Sequence, residues 1–178
     1  MDASNIANML GALAFHLTYE IDGGVATTAL EARAAAALVH LSKYPNESIE
    51  KLRVPVGLSH SGCVRLVDRL VEAGLARRAS AAEDARAVGI ALTRKGRALA
   101  AQVLERREGV LVRAVCSLSV AEREQLGTLV SKLLAFEINT PACALRACRL
   151  CDYRACQRCP LRGDEESDAG PPPNSSID

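Results

Sequence analysis

Four of the chain's seven cysteines stand within the segment CRLCDYRACQRCP, spaced Cys148-x2-Cys151-x4-Cys156-x2-Cys159. Thiolates are ligands for soft metals, and cysteines this dense let one loop wrap around a single centre. Zinc favours paired C-x2-C knuckles, but its two pairs usually lie a dozen or so residues apart. Iron–sulfur clusters are held by cysteines this dense, and the ferredoxin run closes on Cys-Pro, as Cys159-Pro160 does here, although the spacing is not the ferredoxin one. An iron–sulfur cluster, zinc, and reactive or disulfide-forming thiols all stay open. Cys143, five residues upstream, is a further candidate ligand. Arg146, Arg149, Arg154, Arg158 and Arg162 surround the block against the single acid Asp152. Nearby positive charge favours thiolates, although a solvated loop accounts for the arginines almost as well. Cys63 and Cys116 read as small core fillers, the common fate of a free cysteine.

The compartment bears on this choice. The start, MDASNIANML, has an acid where a signal peptide needs positive charge, and no apolar run approaches the roughly 20 residues that span a bilayer. The expectation is a cytoplasmic protein with no membrane partner, where disulfides are uncommon and clustered cysteines suit a metal.

Charge is unevenly spread. The formal net charge is +1, yet residues 163–178 hold Asp164, Glu165, Glu166, Asp168 and Asp178 with no Lys or Arg, which leaves +6 on residues 1–162. The proline-containing acidic tail has too few large apolar residues to offset its ordering entropy and is expected to be disordered. Between His60 and Arg97 the chain carries eight Lys or Arg against four acids, as a DNA-facing surface requires.

The elements that must position these groups are mostly helices, since Ala, Leu, Arg and Glu dominate and aromatic residues are 3%. Ile6, Met9, Leu10, Leu13, Leu17 and Ile21 recur at helical spacing, with Gly23 and Gly24 as the stop. Thr28-x-x-Glu31 is a capping-box pattern that predicts a second helix to about Ser42. A short third helix spans Ser48 to Arg53, ended or distorted by Pro55. A fourth runs from His60 to Ala73 and ends at Gly74. Residues 75–79 and 87–92 suit a hairpin. Thr93 caps a long helix to about Ser117, and SVAE at 119–122 opens a last one to about Ile138. A short helix, a Gly-containing turn, a second helix and a hairpin form a winged helix-turn-helix order.

From Ile49 to Ala98 the chain resembles the MarR family of transcription regulators, most clearly in GLSHSGCVRLVDRLVEAGLARR, EDARAVGIALT and TRKGRAL. The resemblance extends over about residues 5–140 and leaves the cysteine segment outside. It implies a mainly α fold with a small β-wing: a winged helix-turn-helix with long dimerisation helices. The boundaries expected are an N-terminal dimerisation helix and loop (1–27), a DNA-binding domain (28–93), dimerisation helices (94–140), the metal-binding segment (141–162) and the tail (163–178). KLRVPVGL departs from the family's alanine-rich helix before the turn, so Pro55 puts the docking geometry in question.

In a helix-turn-helix the start of the second helix faces base edges, here Ser59, His60, Ser61 and Arg65. Arg69, Arg77, Arg78 and Arg94 extend the basic surface. EDAR resembles the family's Asp-x-Arg wing, which implies Asp84 as the positioner of Arg86 for the minor groove. The partner is double-stranded DNA, read by a homodimer on a pseudo-palindromic operator, because one helix reads only a few base pairs. MarR-type regulators generally take small aromatic effectors, for which His16, Tyr19, His40 and Tyr44 are candidate pocket residues. Two modes of control stand side by side: an iron–sulfur or other metal centre that ties the C-terminal ends to the dimer, or a small-ligand effector with a structural zinc clip. A redox carrier or an enzyme is disfavoured, since there is no Ser-His-Asp set, phosphate-cradling glycine loop or dinucleotide fingerprint.

Overall fold

The computed structural model describes residues 2–26, 31–80, 88–152, 155 and 159–161. Seven α-helices, three strands and a 3-10 turn follow in the order α1 (Ala3–Ala26), α2 (Ala32–Lys43), β1 (Glu47–Ser48), α3 (Ile49–Val56), α4 (His60–Glu72), β2 (Ala76–Ser80), β3 (Val88–Leu92), α5 (Arg94–Cys116), α6 (Val120–Glu137), α7 (Pro141–Ala147) and the turn Cys148–Leu150. The mainly helical, winged architecture is as expected.

The helix-turn-helix unit folds around α2, α3, α4 and the sheet. Leu38, Leu41, Leu52, Leu66, Val67 and Ile90 are fully buried together. The α2 alanines pack without side-chain bulk, so neighbouring helices approach closely: Ala35, Ala36 and Ala37 are all within 1% of full burial. A second cluster of Ala35, Val39 and Val103, flanked by Ile21 and Leu104, joins α1, α2 and α5. The hairpin pairs β2 with β3 from Ala76↔Leu92 to Ser80↔Val88. A strand the sequence did not announce, β1, adds to the other edge of β3 through Glu47↔Ile90 and Ser48↔Gly89. Two residues have no readable periodicity, and β1 exists because β3 is already there to pair with.

Several expectations need correction. Gly23 does not stop α1, which continues to Ala26; an interior glycine costs only about 1 kcal/mol. Thr28 lies outside the described residues, and the α2 seen starts at Ala32 with Glu31 as an N-cap that makes no side-chain cap bond. Pro55 neither ends α3 nor shortens it. It is buried within the last turn, and the helix stops two residues later at Gly57, whose left-handed φ of 65° forms the C-cap. So near the C-terminus, proline removes one backbone donor and leaves the earlier turns intact. Cys63 is fully buried, but Cys116 is exposed and fills no core. The acidic tail and the wing tip, residues 81–87, lie outside the described residues.

Helix α6 has its capping box, with Ser119 accepting from Glu122 N–H and Glu122 accepting from Ser119 N–H, yet it buries no residue. Leu126, Leu129, Val130 and Leu133 on α6, and Ile6, Met9, Leu10 and Leu13 on α1, remain exposed in the single chain.

Candidate DNA interface and cysteine segment

Ser59 has the extended backbone of an N-cap, and its hydroxyl accepts from Gly62 N–H at 3.2 Å, which starts α4 at His60. Burial of Cys63, Leu66, Val67 and Leu70 on one side of the helix leaves Ser61, Arg65, Asp68 and Arg69 exposed on the other. The polar stripe is therefore set by the apolar one, through the 3.6-residue period. A methyl at Gly62 would sit 3.2 Å from Ser59 Oγ and 3.4 Å from Leu58 Cδ2, so a small residue suits the first turn.

His60 turns back to α3, its Nδ1 standing 3.3 Å from Glu50 Oε2, while Arg53 Nε donates to Glu50 Oε1 at 2.7 Å. These bonds, from Arg53 first and His60 second, hold the Glu50 carboxyl below the ordinary carboxylate range. The clasp links the two helices of the helix-turn-helix across their exposed side, and the sequence reading missed it.

The basic residues separate by partner. Arg69 reaches both carboxylate oxygens of Glu31 at 3.4 Å, and Arg78 of β2 pairs with Asp68 of α4 at 2.6 Å. Arg65, Arg77 and Arg94 are exposed with no ion-pair partner among the described residues. Lys95 Nζ donates to Ala73 O at 3.1 Å and Arg97 to Leu92 O at 2.9 Å, so both fasten the end of the wing to its surroundings. Asp84 and Arg86 lie outside the described residues.

The wing meets α5 at a tight junction. Thr93 donates its hydroxyl to Gly74 O at 2.7 Å and accepts from Gly96 N–H at 3.1 Å, while its own N–H donates to Leu75 O at 3.0 Å. A methyl on Gly96 would stand 2.0 Å from Leu75 O. Sequence alone showed a glycine between two basic residues, with no sign of this approach.

The cysteine segment lies against the helix-turn-helix unit. Thr140 caps α7 by accepting from Cys143 N–H at 3.2 Å, and Pro141 opens the helix where its missing donor costs nothing. Helix α7 packs on α3, and the 3-10 turn packs on α2. Leu150 packs against both core clusters. Cys148 and Cys151 are half-buried and line one cavity of about 240 Å³, together with His40, Tyr44, Leu104 and Arg149. Arg107 of α5 donates to Cys151 Sγ at 3.8 Å. Cys143 is exposed and lies outside the cavity lining. Cys159 is half-buried, Cys156 lies outside the described residues, and among the described residues no three His, Cys, Asp or Glu side chains gather as a metal-ligand set.

Of the aromatic and histidine residues expected in an effector pocket, His40 and Tyr44 line this cavity. His40 is 7% exposed and meets Glu47 Oε2 at 2.6 Å. His16 and Tyr19 do not line it; they are exposed on α1, where the helix turns them away from α2 and α5.

No family model matches the chain. The transcriptional repressor MprA of Escherichia coli is 31% identical over 101 residues, which cover 56% of this chain and 57% of the repressor. The chain thus matches little more than half of that relative's length. The solved structure of RV1404 from Mycobacterium tuberculosis is similar at a TM-score of 0.64 and 28% identity, over 79% of this chain and 96% of that one. A MarR-family transcriptional regulator from Rhodococcus sp. RHA1 is similar at a TM-score of 0.60 and 21% identity, over 79% and 99%. No described helix is long and apolar enough to cross a membrane. With its helix-turn-helix, three-stranded wing sheet and long flanking helices, the chain has the winged-helix fold of the MarR-type regulators.

Proposed function

We propose that the chain is a MarR-type transcription regulator that binds double-stranded DNA as a homodimer on a pseudo-palindromic site. The observation that carries this is the exposed face of α4: a capped N-terminus with Ser59, His60 and Ser61, followed one turn later by Arg65, beside a wing strand carrying Arg77. Hydroxyls and a guanidinium at the start of a helix match the donor and acceptor pattern of a major groove. The resemblance to a repressor over the same region supports the reading. Asp84 and Arg86 keep the wing roles assigned from sequence. The dimer is supported by α6, an 18-residue helix that buries nothing in its own chain. Most helical stability in proteins comes from packing an apolar face, and a second copy covering the leucines of α1 and α6 would supply that packing.

The test is selection of duplexes from a randomised pool, followed by binding of the selected and scrambled duplexes across a salt series. Specific, salt-sensitive binding is expected. Arg65→Ala should cost about 1–3 kcal/mol on the selected duplex if Arg65 reads a base, and should lower the salt slope by about one unit if it meets a phosphate. Equal affinity of the intact chain for selected and scrambled duplexes would overturn the reading.

Control is assigned to the C-terminal segment. Cys148 and Cys151, with Cys156 and Cys159 following in sequence, are proposed as ligands of an iron–sulfur or zinc centre, supported by the placement of the first two on one cavity wall. The same cavity favours the second reading, a small-molecule effector seated among His40, Tyr44 and Leu104 with the cysteines as a structural clip. Visible absorption with iron and sulfide content, against zinc content alone, separates a cluster from zinc, and a change in duplex affinity on removing the metal separates control by the metal from a structural clip.

A further inference from the structure

We propose that Cys148 and Cys151 form a two-thiol site for a thiophilic metal ion, and that its occupancy acts on the helix-turn-helix through Leu150 and α7. This rests on the regulator reading above and deepens it by naming the element that the metal controls.

The first observation is the turn. In a 3-10 helix three residues complete a turn, so side chains at i and i+3 eclipse. Cys151 N–H donates to Cys148 O at 3.0 Å, which closes that turn, and both thiols line the same cavity. Cys148 opens the turn and Cys151 is its extended C-cap, so the two thiols stand at the two ends of one short turn and face one cavity. On binding, each thiol releases its proton to solvent and donates a sulfur lone pair to the cation. Two S–metal bonds form, two protons leave and no electron moves. Arg107, already donating to Cys151 Sγ at 3.8 Å, then faces a sulfur of greater negative charge, and the contact strengthens.

The second observation is what lies between the thiols. Leu150 packs against both core clusters, so it touches the packing that holds α2 to α3 and α4 as well as that joining α1, α2 and α5. Helix α7 rests on α3, the helix preceding the DNA-reading one. Close-packed interiors transmit displacement because they have no slack to absorb it. A metal that draws Cys148 and Cys151 together therefore fixes Leu150 and α7, and with them the position of α3 under the Glu50–His60 clasp. Beside the expected tie of the cysteines to the C-terminal ends of a dimer, the segment packs on α2 and α3 of its own chain, which gives the metal a direct route to the helix-turn-helix.

The experiment uses the full chain, reduced and without air, with zinc(II) alone as probe. Zinc binding is measured by competition with a chromophoric chelator, and amide hydrogen exchange is followed in peptides covering 49–56. Wild type is expected to bind zinc and to slow exchange in 49–56 by about tenfold, because local opening of α3 must then break an added constraint. The Cys148→Ser, Cys151→Ser double variant should lose both effects. Leu150→Ala should keep zinc and lose the slowing at α3. If Leu150→Ala fails to fold by circular dichroism, the wild-type titration and Leu150→Met decide. Zinc bound by wild type with no change in 49–56, or slowing retained in Leu150→Ala, would overturn the coupling. No zinc on wild type, or undiminished zinc on the double serine variant, would overturn the site. Failure of the regulator reading is a separate result, visible as absent duplex selectivity whatever the zinc does.

Discussion

Replacing Gly96 with alanine places a methyl between α5 and the Leu75 backbone that joins α4 to β2. The added carbon would stand 2.0 Å from Leu75 O and 2.9 Å from Leu75 C, against the 3.4 Å at which ordinary contact begins. Backbone must therefore retreat by about 1.4 Å, the difference between those two distances. The obstructing oxygen also accepts from Thr93 N–H at 3.0 Å, and Leu75 N–H donates to Leu70 O at 2.8 Å, so it cannot shift without loosening the α5 cap and the α4 terminus. Overpacking costs about 1–3 kcal/mol, and weakening one such bond adds about 1 kcal/mol. Together these predict a loss of about 3 kcal/mol. For a chain of this length each kcal/mol moves the melting temperature by roughly 2–4 °C, so a fall of about 6–12 °C is expected at fixed protein concentration. Thermal denaturation by circular dichroism measures it. Because the same junction sets the wing against α4, affinity for a selected duplex should fall as well. A melting temperature within about 2 °C of wild type would refute the reasoning, since it would mean that α5 can move away from Leu75 freely.

Further outcomes follow from the same geometry. Burial pushes the Cys63 thiol from 9.0 up to about 11, so at pH 8 iodoacetamide should label exposed Cys116 and Cys143 in the native chain and spare Cys63 until unfolding; early labelling of Cys63 contradicts this. The folded state keeps that proton longer than the unfolded one, so its contribution to stability is intact below pH 9 and declines as pH rises towards about 11. Leu129→Asp with Leu133→Asp places acids on the uncovered face of α6, where the two leucines are 58% and 49% exposed. Light scattering should show the dimer of the 18.9 kDa chain falling to monomer, and an unchanged mass would remove α6 from the interface. Asp68→Asn releases Arg78 from its 2.6 Å partner and should steepen the salt dependence of duplex binding by about one unit; an unaltered slope would show that Arg78 faces away from phosphate.

Much of the fold was legible because its signals are local. Ser59, Thr93 and Ser119 each cap the helix expected after them, and Gly74 takes the left-handed φ of 68° that closes α4. The exposed stripe of Ser61, Arg65 and Arg69 was readable from the apolar positions between them. The weaker points have physical reasons. Gly23 reads as a stop because a lone glycine is ambiguous between helix interior and cap, and Pro55 reads as a breaker although it stands only two residues before the C-cap at Gly57. Cys116 illustrates the limit of composition: the residue type is commonly buried, yet its position near the end of α5 leaves it exposed.

By itself the sequence determined the helical faces, the caps, the hairpin and the excess of basic residues around α4, since each depends on neighbours within a turn or two. Only the tertiary structure decided which charges meet: Arg69 with Glu31 and Arg78 with Asp68 join residues 38 and 10 positions apart, leaving Arg65 and Arg77 for a partner outside the described chain. It also decided that β1 joins the wing sheet, and that Leu150 carries the cysteine turn onto α2 and α3. Such contacts depend on how distant apolar surfaces find cover, and no local spacing encodes which surface a short segment will choose.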